Sequence, residues 1–142
     1  MILPDINLLV YAYNEDAPLH LASKAWWEQC LSGTEPVGLA WAVLLGFVRL
    51  MSHRRVLLAP MPASEAVAQC RAWLAQPNSR ILTPGPRHLD VLSNLLDGPS
   101  ISASLVTDAH LAALAIEHQA ELHSNDSDFS RFSGLRWRNP VA

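Results

Sequence analysis

Strand-length apolar runs and helix-length segments alternate along this chain, and no other feature limits its fold so strongly. The first run, "MILPD", reads as a short buried strand ending at Asp5. "PVGLA" (36–40), "RILT" (80–83), "ELHS" (121–124) and "LRWRN" (135–139) are the later strand candidates. Between them lie segments with helical marks. Asn7 is placed to cap "LLVYAY", and Ala17 to Leu31 sets Leu19, Ala22, Trp26 and Cys30 at helical spacing. "WAVLLGFVRLM" follows the second strand as a helix. "MPASEAVAQCRAWLAQP" reads as a capped amphipathic helix stopped at Pro77, and "PRHLDVLSNLLDG" as one ended by Gly98. The alanine-rich "TDAHLAALAIEHQA" is the plainest helix, with Leu111, Ala115 and Ile116 available to a core. Strands separated by helices predict an α/β domain with a mainly parallel sheet. At 142 residues the expectation is a single domain over 1–142.

In a parallel sheet the working residues gather beyond the carboxyl ends of the strands. Asp5 and Asp126 each stand just past a predicted strand, and Asp108 opens the plainest helix. Taken singly, each has an ordinary structural role open to it. Asp108 suits a helix N-terminus, and Asp126 and Asp128 suit a turn that satisfies its own backbone. Asp5 is different, because it sits between "MILP" and "INLLVY" and a buried charge requires a partner. No basic residue follows it until Lys24, the only lysine in the chain. Clustered acids raise one another's pKa unless a cation neutralises them. A divalent ion would resolve both problems, and oxygen-only ligands favour Mg²⁺ or Mn²⁺ over zinc. Such a site suits phosphodiester hydrolysis by a metal-activated water.

Composition narrows the remaining classes. The net charge is −3, so no overall basic field draws the chain onto nucleic acid or membrane, and any RNA must be held locally. No apolar run reaches the roughly 18 residues of a membrane span, and the expectation is a soluble, cytoplasmic protein. Cys30 and Cys70 are too far apart in sequence for a CxxC pair and read as free thiols. Other acid-rich sites fail on named residues. An EF-hand loop starting at Asp126 would need glycine at its sixth position, where Arg131 stands. A haloacid-dehalogenase-type phosphatase would need a second aspartate where Asn7 stands, and a response-regulator receiver would need a late strand-end lysine.

Three stretches in order, "DINLLVYAYNEDAPLH", "LVTDAHLAALAIEHQAEL" and "SNDSDFSRFSGLRWRNP", resemble the PIN domain, and more narrowly the VapC-type toxins of bacterial toxin–antitoxin pairs. The resemblance implies a three-layer α/β/α domain with a parallel sheet of four or five strands. It implies an endoribonuclease dependent on Mg²⁺ or Mn²⁺, a VapB-type antitoxin as inhibitor, and a homodimer. Carried over by position, Asp5, Asp108 and Asp126 become the catalytic and metal-binding acids. Asn7, Ser124 and Asp128 become supporting residues. Arg49, on the same helix as Gly46, is a candidate RNA contact by its position and charge.

One departure stands out. Gly46 occupies the place where the resemblance implies a glutamate, and no Asp or Glu lies between Glu35 and Glu65. That makes one metal ion the simpler expectation, and leads to the expectation that Gly46→Glu tightens Mn²⁺ binding. It also leaves the alternative of a catalytically weakened PIN domain that binds antitoxin or RNA; a phosphatase-like α/β protein is a separate enzyme alternative. "SHRR" (52–55) reads as a solvated helix end, Trp26 and Trp27 as core or interface residues, His123 as structural, His110 as turned away from the metal, and none of the histidines, His20 included, as catalytic.

Overall fold

The computed structural model describes all residues, 1–142, and contains one five-stranded sheet in the order β3-β2-β1-β4-β5, parallel throughout. The strands are β1 Ile2–Pro4, β2 Val37–Ala40, β3 Ser79–Leu82, β4 Glu121–His123 and β5 Trp137–Arg138. The helices are α1 Ile6–Tyr13, α2 His20–Ser32, α3 Trp41–Met51, α4 Ala63–Leu74, α5 His88–Leu96 and α6 Val106–Glu117. Two 3₁₀ turns, Ala103–Leu105 and Ser127–Arg131, complete the chain.

Strand order and crossover handedness generate the layers. From β1 the chain steps outward to β2 and then β3, carrying α1 to α4 as its crossovers. It then returns past β1 to β4 through α5 and α6. Right-handed crossovers in opposite directions lie on opposite faces. The result is the expected three-layer α/β/α arrangement, with α1 packed on α2 and α3, α3 on α4, and α5 on α6. The direction reverses at β1, so the topological switch point lies between β1 and β4, where such sheets hold their ligands.

An aromatic cluster fastens the first face. Trp73 of α4 meets Phe47 of α3 at 4.6 Å and Trp27 of α2 at 5.5 Å between ring centroids, both edge-on. That is the geometry ring quadrupoles prefer. The Trp73 indole N–H donates to the Tyr13 hydroxyl at 2.8 Å, which brings α1 into the same cluster. This cluster explains why the α2 stripe differs from the sequence expectation. The buried residues are Ser23, Trp27 and Cys30, while Ala22 is exposed and Trp26 half-buried. Trp27 turns inward to reach Trp73, and the helix rotates with it.

Helix ends also depart from expectation. Asp5, not Asn7, caps α1: its carboxylate accepts the Ile6 N–H at 2.8 Å, and Asn7 falls inside the first turn. No side chain caps α4, which follows Pro62 and ends at Leu74, ahead of Pro77. Asp97, one residue before Gly98, ends α5. On α6, Leu111 and Ala115 are buried as expected, whereas Ile116 is half-buried. No helix is long and apolar enough to cross a membrane.

Gly46 lies buried on α3 with the Ile6 side chain pressed against it: a Cβ there would meet Ile6 Cδ1 at 2.2 Å. Alanine in a helix is worth roughly 1 kcal/mol over glycine, but overpacking costs about 1–3 kcal/mol. In urea denaturation Gly46→Ala should therefore be neutral or destabilising alone. Combined with Ile6→Val, which removes the offending methyl, it should show a favourable coupling of about 1 kcal/mol. Additive single effects would contradict the contact.

Candidate metal centre

Three segments meet at the switch point. β1 ends in Pro4 and delivers Asp5, whose N–H donates to the His123 carbonyl at 2.8 Å and so locks β1 to β4. β4 ends in His123 and delivers Ser124. The fully buried Ser124 hydroxyl donates to Asp5 Oδ2 at 2.7 Å and accepts the Asp126 N–H at 3.0 Å. The Asn7 amide reaches the same oxygen at 3.4 Å. Ser124 is itself held by its N–H on the Arg138 carbonyl at 3.1 Å and by the Trp137 indole N–H on its carbonyl at 3.1 Å.

Asp126 then caps the 3₁₀ turn Ser127–Arg131, accepting the Asp128 N–H at 2.9 Å. This is an Asx-turn, the ordinary local behaviour of aspartate. It has a structural consequence beyond the turn. Carboxylate oxygens of Asp108, Asp126 and Asp128 lie within 4.8 Å of one another, with Asp108 supplied by the first turn of α6. The sequence reading placed Asp128 in a supporting role and Asp5 among the direct ligands. In the structure Asp128 belongs to the close trio, and Asp5 stands outside it, buried and bonded to Ser124 and Ile6.

A family model described as PIN domain matches residues 2–135. The chain belongs to the PIN-domain family. Among relatives, Ribonuclease VapC33 of Mycobacterium tuberculosis is 48% identical over 141 residues, covering 99% of each chain. Ribonuclease VapC37 of the same organism is 44% identical over 142 residues, covering 100% of this chain and 99% of that one. Solved PIN structures share the fold. M. tuberculosis VapC20 superposes with a TM-score of 0.67 at 22% identity, covering 96% of this chain and 99% of that one. VapBC-1 from nontypeable Haemophilus influenzae gives 0.70 at 12% identity, covering 100% of both.

Within this PIN domain the donor set fits a hard divalent cation. The trio offers only oxygen, which suits Mg²⁺ or Mn²⁺. Asn7 Oδ1 is buried without a partner in the protein, an orphaned acceptor on the residue whose amide N–H reaches Ser124. The histidines are committed elsewhere. His110 Nδ1 pairs with His88 Nε2 at 2.9 Å, and His88 in turn bonds Glu117, tying α5 to α6. His123 receives the Trp26 indole N–H at 3.1 Å and bonds Glu121 at 2.8 Å. His20 bonds the Tyr11 carbonyl at 2.8 Å. Arg49 is exposed late in α3 and forms no ion pair with the acids, and Arg54 and Arg55 are exposed at the same helix end. Gly46 adds no carboxylate, and a glutamate there would first have to displace Ile6.

The acids are electrostatically strained in the absence of a cation. Burial, then the charges of Asp5, Asp126 and Asp128, push Asp108 up to about 6. Burial pushes Asp5 up too, opposed by the hydrogen bonds from Ser124 and Ile6 and reinforced by the charge of Asp126. A carboxylate raised on folding holds its proton longer in the folded chain. Between 3.8 and about 6 the unfolded Asp108 ionises first, so stability falls as pH rises through that window. Thermal melts in EDTA should show this fall in the parent, and Asp108→Asn should flatten it and raise the melting temperature at neutral pH. Saturating Mn²⁺ should restore the parent but not the variant. A parent that gains stability relative to Asp108→Asn as pH rises through this window in EDTA would overturn this account.

Proposed function

We propose that this PIN domain is an endoribonuclease dependent on Mg²⁺ or Mn²⁺, acting as the toxin of a type II toxin–antitoxin pair. The observation that carries the reading is the convergence of Asp108, Asp126 and Asp128 within 4.8 Å at the switch point. Relatives named as ribonucleases over nearly the full chain support it. Gly46 allowed a catalytically weakened domain acting mainly as a binding module. The assembled trio and those relatives favour the enzyme.

Asp108, Asp126 and Asp128 would hold the ion, with Asp5 adding charge from behind and Ser124 fixing Asp5 and Asp126 relative to each other. A bound divalent ion supplies Lewis-acid polarisation of a phosphodiester and lowers the pKa of a water. The chain's own part is to present ionised oxygens on a rigid frame. It brings no histidine to the acids, so proton acceptance falls to carboxylate or solvent. Arg49 remains a candidate contact for the RNA backbone at the exposed end of α3.

The partner in this reading is a VapB-type antitoxin, with a second copy of the chain forming a homodimer. Fold neighbours described as VapBC2 from Rickettsia felis and FitAB, each bound to DNA, support an antitoxin. Trp41 and Leu45 of α3 are exposed and give a protein partner apolar surface to cover.

The test is cleavage of total RNA by antitoxin-free protein in Mg²⁺ or Mn²⁺, against EDTA and against Asp108→Asn prepared identically. Cutting by the parent should require the metal and fall by roughly 100-fold or more in the variant. Equal cutting by parent and variant would contradict the assignment of the acids.

A further inference from the structure

Resting on that reading, we propose that Arg131 binds the phosphate of the RNA being cut. It closes the 3₁₀ turn that carries Asp128, and its Nε donates to Asp128 Oδ1 at 3.2 Å. Its Nη1 donates to the Ser100 carbonyl at 3.3 Å, in the connection that leads from α5 towards Asp108. The guanidinium is thus held between the two segments that supply the trio. It is the one basic side chain in an ion pair with any of these acids.

Charge balance gives it a task. Four aspartates and one divalent ion leave the site negative, and a phosphodiester adds a further charge. An RNA strand entering there meets repulsion unless a cation stands at the same place. The chain has only ten Lys and Arg among 142 residues, so such a cation is scarce. Arg131 spends two N–H groups on Asp128 and Ser100, and a guanidinium has five. The remaining donors match a phosphate in the paired geometry that lysine does not reproduce.

The Arg131–Asp128 pair is also easily exchanged. Their side chains are 46% and 43% exposed, and exposed pairs of this kind are worth about 0–1 kcal/mol. Asp128 can therefore turn to a metal ion at small cost while Arg131 keeps its place through Ser100. In this arrangement the arginine guards the carboxylate before substrate arrives and holds the phosphate afterwards.

Binding of a labelled mixed-sequence single-stranded RNA, followed by anisotropy in Mn²⁺ across a salt series, separates this from a purely structural role. The proteins are the parent, Arg131→Gln, Arg131→Lys and Arg80→Gln, the last removing the same charge on β3 at the far edge of the sheet. Arg131→Gln should weaken binding about tenfold and lower the slope of log affinity against log salt by about 0.7. Arg131→Lys should keep the slope and recover part of the affinity, and Arg80→Gln should match the parent. Mn²⁺ affinity by calorimetry should stay level or tighten in Arg131→Gln, since a competing cation has left Asp128. An unchanged salt slope in Arg131→Gln would overturn the proposal, and weakened Mn²⁺ binding beside it would make Arg131 a prop for Asp128. Failure of the parent to bind RNA would overturn it as well. Denaturing gels of the same mixtures keep the two readings apart: the slope change without any cutting would leave Arg131 a phosphate contact for bound RNA, and would overturn both the nuclease and the claim that this phosphate is the one cut.

Discussion

The hydrogen bond from Ser124 Oγ to Asp5 Oδ2 joins residues 119 apart in the chain and sits where β1 and β4 meet. Its consequences run in both directions. Towards the sheet, it is backed by the Asp5 N–H on the His123 carbonyl, so the first and fourth strands cannot slip without breaking both. Towards the site, the same hydroxyl receives the Asp126 N–H, and Asp126 in turn shapes the turn that delivers Asp128. One buried serine thereby ties the ends of the central strands together and fixes Asp5 and Asp126 relative to each other. Losing it would leave a buried carboxylate with one fewer donor, a penalty of about 1–3 kcal/mol or more.

A fold that concentrates carboxylates this way is under tension by construction. Asp108 bears that tension: burial and three neighbouring carboxylates act on it together. Natural α/β sheets tolerate such clusters at their switch points because a cation or substrate relieves them there. The clustered donors here are all carboxylate oxygens. Gly46 leaves the neighbouring volume to the Ile6 side chain, and the Asn7 Oδ1 is buried without a partner in the protein.

The layer architecture was legible in the chain because strand-length apolar runs and helical periodicity are local properties. So was the convergence of Asp5, Asp108 and Asp126 on one edge, since strand ends in a parallel sheet share that edge. What was not legible depends on contacts between distant segments. The rotation of α2 is decided by Trp73, more than forty residues away, which draws in Trp27 rather than Trp26. Asp5 displaces Asn7 as the cap because one carboxylate serves both the helix and Ser124. The membership of Asp128 follows from the Asx-turn at Asp126, a pattern visible in "SNDSDF" whose direction only the fold reveals. The Glu117–His88–His110 chain and the Arg131 bridge to Ser100 are tertiary contacts with no local signature.

The central claim is that Asp108, Asp126 and Asp128 form one cation site with Asp5 behind it. A crystal structure grown in Mn²⁺, with anomalous data, tests that claim most directly. The account predicts an anomalous peak bounded by carboxylate oxygens of Asp108, Asp126 and Asp128, at roughly 2.0–2.6 Å from the nearest of them. Asp5 should remain on Ser124 or reach the ion through water. A peak at other residues, or a fully ordered trio with no peak at saturating Mn²⁺, would contradict it.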